Sequence, residues 1–193
     1  MRFWDAPQYL FNYTFNEVSG VFYERYPNSY AKHIISEDVL DREITKDQII
    51  TRKLIVKKGN SFLNAVPKWM SKLASVKTIP TIEESVFDLK TRMLTTYTRN
   101  VAARDILILD EKCYYRPHDQ HKTELQRAVA CNVNYGRFSG LIEKVIVMTF
   151  RKSIKKTMAG FNEKLEERFG RHTNQRNLGL ANFRSPPIKL EKV

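Results

Sequence analysis

Residues 138–169 read FSGLIEKVIVMTFRKSIKKTMAGFNEKLEERF and contain no proline. Apolar residues recur along this stretch at the three- and four-residue spacing of one helix face. They are Phe138, Leu141, Ile142, Val145, Met148 (or Thr149), Ile154, Met158, Phe161, Leu165 and Phe169. At 1.5 Å per residue, about 30 residues span roughly 45 Å, which is enough to cross a whole curved sheet. The stretch therefore predicts one long amphipathic helix.

Segments rich in β-forming residues fill much of the chain before this helix. Turn signals separate them into pairs, which is typical of antiparallel hairpins. The predicted strands cover residues 34–44, 49–57, 77–100 (split near Leu89-Lys90), 106–116 and 124–134. We predict an α+β fold in which an antiparallel meander of about six or seven strands is crossed by the long helix.

A short helix is predicted near the start of the chain. Thr14 and Glu17 have the spacing of a capping box, and apolar residues recur at helical spacing behind them. Pro27 lies downstream, and a helix must end before it.

The segment over residues 59–76 is too long for an ordinary hairpin loop, and loops of such length are usually functional. It carries large apolar side chains together with lysine. The residues of interest are Phe62, Leu63, Val66, Lys68, Trp69 and Met70. They predict a mobile apolar lid with a basic edge.

The composition indicates one domain with a basic surface. The chain has 193 residues, and 33 Lys and Arg against 21 Asp and Glu give a net charge of +12. Such a surface attracts polyanions.

No apolar run approaches the roughly 18 residues of a membrane span, so we expect a soluble protein. We assign residues 1–170 to the domain and residues 171–193 to a basic, flexible tail.

The N-terminus shows neither a secretory signal nor an Arg- and Ser-rich presequence. Entry into an organelle would therefore need another route.

Catalytic and metal-binding patterns are not found. The sequence has no nucleophile elbow, phosphate-binding loop or dinucleotide fingerprint, so we do not expect an enzyme. His118 and His121 flank Asp119 in a predicted turn and are too few for a metal site. Glu83 and Glu84 are adjacent in a strand and must point to opposite faces, so we interpret them as surface charge.

The strand assignments predict the relative positions of the two cysteines and of two lysines. If the last hairpin turns near residues 119–122, Cys113 and Cys131 lie nearly opposite each other, and both a disulfide and two free buried thiols fit this spacing. In the strand over residues 49–57, alternation places Lys53 and Lys57 on the same face.

The basic charge, the eleven Phe and the nine Tyr also motivate a second hypothesis, a nucleic-acid-binding sheet. It has little support, because the aromatic residues are scattered and no RNA-recognition signature occurs.

Several ordered motifs resemble the PRELI/MSF1 family of mitochondrial intermembrane-space lipid-transfer proteins. They are RYPNSYAKH at residues 25–33, EDVLDRE at 37–43, PKW at 67–69, EESVFD at 83–88, MLTTYTRN at 93–100 and KKTMAGF at 155–161. The resemblance covers about residues 1–170 and is closest to the PRELI branch, which is associated with phosphatidic acid. The Slowmo-like branch, associated with phosphatidylserine, is the alternative.

The resemblance implies a seven-stranded antiparallel sheet wrapped around the C-terminal helix, with a lid over a lipid cavity. It implies transfer of phosphatidic acid between the mitochondrial outer and inner membranes, a phospholipid ligand and no cofactor. The implied partners are anionic membranes and a small helical protein with twin cysteine pairs, which would supply the import route. The family's head-group cations fall on Arg25, His33, Lys53, Lys57, Lys155 and Lys156.

Overall fold

An antiparallel sheet and one long helix form most of the part of the chain that the structure describes, residues 1–59 and 77–171. The structure is a computed structural model. The predicted lid residues lie outside the described residues, as does the tail from residue 172 onwards. The lid residues are Phe62, Leu63, Val66, Lys68, Trp69 and Met70. Their roles stay predictions.

The elements follow the predicted order, with two additional strands at the N-terminus. The strands are β1 (Arg2–Asp5), β2 (Tyr9–Phe11), β3 (Ile34–Ile44), β4 (Gln48–Lys58), β5 (Thr78–Asp88), β6 (Met93–Asn100), β7 (Leu107–Pro117) and β8 (Thr123–Val133). The helices are α1 (Phe15–Phe22) and α2 (Ser139–Phe169), and a single 3₁₀ turn (Gly136–Phe138) precedes α2.

The sheet has the strand order β1-β8-β7-β6-β5-β4-β3, and β2 also pairs with β8. The five hairpin pairings from β3 to β8 are all antiparallel, as predicted. Within the described residues the sheet contains eight strands, one more than expected. The prediction missed β1 and β2 because strands of four and three residues are too short to show an alternating pattern.

The predicted capping box starts α1. The Thr14 side chain accepts a hydrogen bond from the Glu17 backbone N–H, and the Glu17 carboxylate accepts one from the Thr14 backbone N–H. Two of the free N–H groups at the helix start are thereby satisfied. The buried rings of Phe15 and Phe22 anchor α1 in the core, so the chain after α1 is held close to the sheet.

The long helix α2 is anchored by apolar side chains near both of its ends. Ile142, Ile146 and Val147 are buried at the N-terminal end, and Phe161 and Leu165 are buried at the C-terminal end. No residue of α2 over 148–157 is buried. The helix is therefore held at two points, and its middle does not fill the space that faces the sheet.

The predicted apolar face of α2 is wrong in part. Phe138, Leu141, Met148 and Phe169 are exposed, whereas Ile146 is buried. Apolar residues are dense in the N-terminal half of the helix, and periodicity alone did not select the face that contacts the sheet.

The cysteines are free and buried. The β7–β8 register places Cys113 opposite Arg127, and Cys131 opposite Leu109. The two thiols are therefore four residues apart along the ladder, and the alternative of two buried free thiols is confirmed. Burial raises the pKa of Cys113 to about 12, so this thiol is unreactive at neutral pH.

Within the described residues, no helix combines the length and the apolar character needed to cross a membrane.

Candidate lipid-binding site

A cavity of about 820 Å³ lies between the middle of α2 and the inner face of the sheet. Its volume falls at the upper end of the roughly 300–1,000 Å³ typical of ligand pockets. Apart from the buried Phe161, the side chains from α2 that line it belong to the stretch that is not buried against the sheet. They are Thr149, Phe150, Lys152, Ser153, Ile154, Lys156 and Thr157. The cavity thus follows directly from the way α2 is anchored near its two ends.

The sheet side of the cavity is polar in part. Thr81, Thr96, Thr98 and Asn100 are buried and line it. Apolar lining residues accompany them and offer contacts for hydrocarbon. The apolar lining residues include Ile55, Ile79, Leu107, Leu109, Phe150 and Ile154. The cavity therefore combines apolar surface with a polar region.

Arg25 lies in this polar region, directly after α1. Its side chain is buried and donates one hydrogen bond from Nη1 to the Phe22 carbonyl, at 2.7 Å. Its Nη2 donates to Glu83 Oε2, at 2.5 Å. The guanidinium also stacks over the Phe22 and Tyr26 rings, 4.2 and 4.8 Å from their centroids. These contacts fix a cation at the wall of the cavity.

Asn28 holds the turn that carries Arg25. Its Nδ2 donates to the Arg25 carbonyl at 2.8 Å, and its Oδ1 accepts from the Tyr30 N–H at 3.0 Å. The same side chain lies against Gly160 of α2, where a Cβ would come within 2.3 Å of Asn28 Oδ1. The close approach of helix and turn therefore requires glycine at position 160.

Lys57 is a second cation that lines the cavity. Burial lowers its pKa from the usual lysine value, an effect that the Glu111 and Glu83 carboxylates oppose and Arg25 reinforces. Among the described residues, its ammonium has no hydrogen-bond or ion-pair partner. Lys57 is partly buried, and a cation partly withdrawn from water without a partner is costly to the fold, so its presence in a cavity points to an anionic ligand.

Arg127 and Glu111 form a second buried ion pair on the cavity wall, which the sequence analysis missed. Arg127 Nε lies 3.1 Å from Glu111 Oε1. The Nε–H is not directed at that oxygen and has no hydrogen-bond partner in the described part of the chain. The strand alternation of β7 and β8 could have placed both on the inner face, had the register been known.

The structure brings four of the six predicted head-group residues to the cavity: Arg25, His33, Lys57 and Lys156. Burial, together with Lys57 and Lys156, lowers the pKa of His33, so its imidazole is neutral at neutral pH and offers a hydrogen bond in place of a charge.

The other two predicted residues, Lys53 and Lys155, do not line the cavity. Lys53 Nζ donates to Glu37 Oε1 and to the Tyr23 carbonyl, both at 2.9 Å, and Lys155 is exposed. Lys53 thus links β4 to β3 and to the chain after α1.

Exposed lysines surround the opening of the cavity. We call Lys32, Lys58, Lys152 and Lys156 the lysine rim, because each is exposed and also lines the cavity. Solvated cations at this position attract an anionic surface towards the opening. The site therefore carries positive charge at two depths, on the rim and inside.

The interpretation of Glu83 as surface charge is wrong. Adjacent residues do point to opposite faces, but Glu83 faces the cavity and is 5% exposed. Glu84 lies on the outer face and accepts a hydrogen bond from Arg52 Nε at 2.8 Å. An acidic residue inside a basic cavity was not expected from the sequence.

The fold resembles solved structures of low sequence identity. The protein TTHA0849 from Thermus thermophilus superimposes with a TM-score of 0.58 at 15% identity, over 87% of this chain and 99% of that one. A START superfamily protein from Mycobacterium smegmatis has a TM-score of 0.52 at 12% identity, over 84% of this chain and 98% of that one. These likenesses show a fold of the START type.

Sequence relatives define the family. The chain is 30% identical over 154 residues to PRELI domain-containing protein 1, mitochondrial, of Bos taurus, a match that covers 77% of this chain and 68% of the relative. It is 35% identical over 167 residues to UPS-like protein C36.10 of Schizosaccharomyces pombe, covering 82% and 86%. The model of the PRELI-like family matches residues 16–171. The chain therefore belongs to the PRELI-like family.

Proposed function

We propose that this protein carries phosphatidic acid between the mitochondrial outer and inner membranes, through the intermembrane space. The observation that carries the proposal is a cavity of about 820 Å³ with apolar lining, the buried cation Arg25, and the cation Lys57, for which the described residues supply no partner. Family membership and the mitochondrial name of a relative support the location.

The need for a carrier follows from the hydrophobic effect. Each methylene group moved from a bilayer into water costs about 0.8 kcal/mol, so a two-chain lipid with about 30 of them faces well over 20 kcal/mol. Spontaneous desorption is therefore negligible. A protein cavity lowers this cost by replacing contacts with lipid by contacts with side chains such as Ile79, Leu109 and Ile154.

The phosphate head group needs charged partners in the same cavity. A phosphate monoester carries between one and two negative charges at neutral pH, and burial of such a charge costs several kcal/mol unless cations surround it. Arg25 offers a guanidinium fork and Lys57 an ammonium. A cavity with this arrangement favours an anionic lipid over a zwitterionic one.

Membrane docking is assigned to the lysine rim and to the predicted lid. Each cation near an anionic surface contributes about 1 kcal/mol. In the lid, Phe62, Leu63, Val66, Trp69 and Met70 are proposed to insert among the lipids, beside Lys68. A small helical protein with twin cysteine pairs is the proposed partner.

Four of the aromatic residues that motivated the nucleic-acid hypothesis are not accessible for base stacking. Phe11, Phe22, Tyr115 and Phe161 pack against one another in the core, so they cannot serve as stacking platforms for bases.

The test is transfer of fluorescent phosphatidic acid between donor and acceptor vesicles. Arg25→Gln removes the guanidinium, and we expect the transfer rate to fall by at least about tenfold, since a charged hydrogen bond contributes roughly 1.5–3 kcal/mol. Arg52→Gln is the matched control, because Arg52 lies on the outer face in an exposed ion pair. Circular dichroism verifies the fold of both variants.

Equal transfer by wild type and Arg25→Gln would contradict the proposed site. Faster transfer of phosphatidylserine than of phosphatidic acid by the wild type would assign the protein to the Slowmo-type alternative.

A further inference from the structure

The cation best placed to bind a lipid phosphate already has an anionic partner. Arg25 Nη2 donates to Glu83 Oε2, and both side chains are more than nine-tenths buried. A buried charge-assisted hydrogen bond of this kind is not broken without cost. An incoming phosphate must therefore compete with Glu83 for Arg25.

Glu83 is only partly satisfied in this arrangement. Its second oxygen, Oε1, is buried and has no hydrogen-bond partner within the described residues. Glu83 lines the same cavity as Lys57, whose ammonium lacks a partner there as well. Among the described residues, the cavity thus holds a cation with one anionic partner, an anion with one unpaired oxygen, and a second cation without a partner.

We propose that Glu83 is an internal counter-anion, which the lipid phosphate displaces from Arg25 on loading and which takes Arg25 back on release. The inference rests on the proposed function, which it deepens by naming the residue that sets the affinity for the phosphate. In the empty protein Glu83 neutralises Arg25. In the loaded protein the phosphate binds Arg25 and Lys57, and Glu83 loses its ion pair.

The loss of that ion pair lowers the net affinity for the lipid. A carrier needs such a limit, because a cargo that binds too tightly is not delivered to the acceptor membrane. Exchange of one carboxylate for one phosphate keeps Arg25 paired in both states, so the empty cavity is not left with a free buried guanidinium. Glu83 therefore allows the lipid to be released and keeps Arg25 paired in the lipid-free protein.

A purely structural role of Glu83 predicts the opposite result. If Glu83 only held Arg25 in position, its loss would misplace the guanidinium and weaken lipid binding. If Glu83 competes with the phosphate, its loss strengthens binding. The sign of the change in affinity separates the two roles.

The experiment compares Glu83→Gln with Glu84→Gln, which alters the neighbouring residue on the outer face of the same strand. Titration calorimetry with a short-chain, water-soluble phosphatidic acid measures the affinity of each. We expect Glu83→Gln to bind about tenfold more tightly than wild type, or about 1.4 kcal/mol. We expect Glu84→Gln to bind like wild type. Release of fluorescent phosphatidic acid to acceptor vesicles should be slower for Glu83→Gln.

Unchanged or weaker binding by Glu83→Gln would overturn the proposal. Glu83→Asp, which keeps the charge but withdraws it from Arg25, serves as a second variant and should also bind more tightly than wild type. If neither variant folds, Glu83 is a structural anchor and the proposal is likewise overturned.

Two further comparisons distinguish a failure of the proposal for Glu83 from a failure of the proposed function. If Arg25→Gln loses lipid binding while Glu83→Gln shows no gain, the site stands and only the role of Glu83 fails. If Arg25→Gln binds as wild type, the proposed site itself fails. Inorganic phosphate is not expected to compete with the lipid, because it lacks the acyl chains, and equally strong competition would overturn the assignment of a lipid as the ligand.

Discussion

Lys57 is a residue at which the requirements of the fold and of the cavity conflict. The fold must bury part of a charged side chain that has no partner among the described residues. The proposed ligand needs that same charge. Residues with this conflict are typical of binding sites, because natural selection retains a local cost to stability when function depends on it.

Lys57→Met should therefore stabilise the protein and weaken its binding of phosphatidic acid. Methionine keeps the length of the side chain and removes the charge, so we expect the free energy of unfolding at neutral pH to rise by about 1–2 kcal/mol. Urea denaturation measures this change. Lys58→Met is the control, since Lys58 is exposed and the substitution should change stability little. A loss of stability in Lys57→Met would contradict the argument.

The difference in free energy of unfolding between Lys57→Met and wild type should depend on pH, and the direction follows from the pKa of Lys57. The pKa of Lys57 is lower in the folded state than its usual value of 10.5, so the unfolded chain binds more protons over the interval between the two. The contribution of Lys57 to stability therefore rises with pH across that interval. The advantage of Lys57→Met should shrink as the pH approaches 10.5.

Glu83 shows what strand patterns cannot reveal. In β5 the buried positions are Thr81, Glu83 and Ser85, whereas Ile82 and Val86 lie on the outer face. Alternation predicted two faces, but it did not show that the middle of the inward face is polar, with Thr81, Glu83 and Ser85 lying between the apolar Ile79 and Phe87. Only the register with β4 and β6 shows which face lines the cavity.

At the scale of elements, prediction succeeded where the pattern is long. Strands of eleven residues and a helix of 31 residues carry enough repeats to be recognised. Whether Cys113 and Cys131 lie opposite each other depends on the exact register of β7 and β8. The sequence of the turn did not determine that register to within a few residues. The face of α2 depended on packing against β8, a contact distant in sequence.

Gly160 couples α2 to the turn that carries Arg25. An added Cβ would come within 2.3 Å of Asn28 Oδ1, and Asn28 can move only by giving up hydrogen bonds within that turn. We expect Gly160→Ala to destabilise the protein by about 1–3 kcal/mol, the usual cost of overpacking. We also expect weaker binding of phosphatidic acid, because Arg25 shifts with its turn.

Gly140→Ala is the matched control for that experiment. Gly140 lies in the same helix, and an added Cβ there has nothing within 4 Å. Helix propensity alone should stabilise this variant by up to about 1 kcal/mol. Thermal unfolding of the two variants side by side measures the difference, and similar shifts in both would show that the contact with Asn28 is unimportant.

At the scale of the whole molecule, positive charges at two depths are assigned to two different steps. Exposed cations attract the membrane, and cations inside the cavity bind the head group. The lysine rim is exposed, whereas Arg25 is buried and Lys57 lines the interior of the cavity. Salt screens exposed charges strongly, with a Debye length of about 10 Å at 0.1 M and 3 Å at 1 M, but screens buried charges much less. Docking to a membrane and binding of the head group should therefore respond differently to ionic strength.

Raising the salt concentration should release the protein from vesicles of phosphatidic acid and phosphatidylcholine while leaving the affinity for a soluble short-chain phosphatidic acid less affected. Flotation measures the first quantity and titration calorimetry the second. Arg25→Gln should float like wild type at low salt, because the lysine rim is intact, yet fail to bind the soluble lipid. Equal salt dependence of the two quantities would show that docking and head-group binding use the same cations, and the division of charge between rim and interior would be wrong.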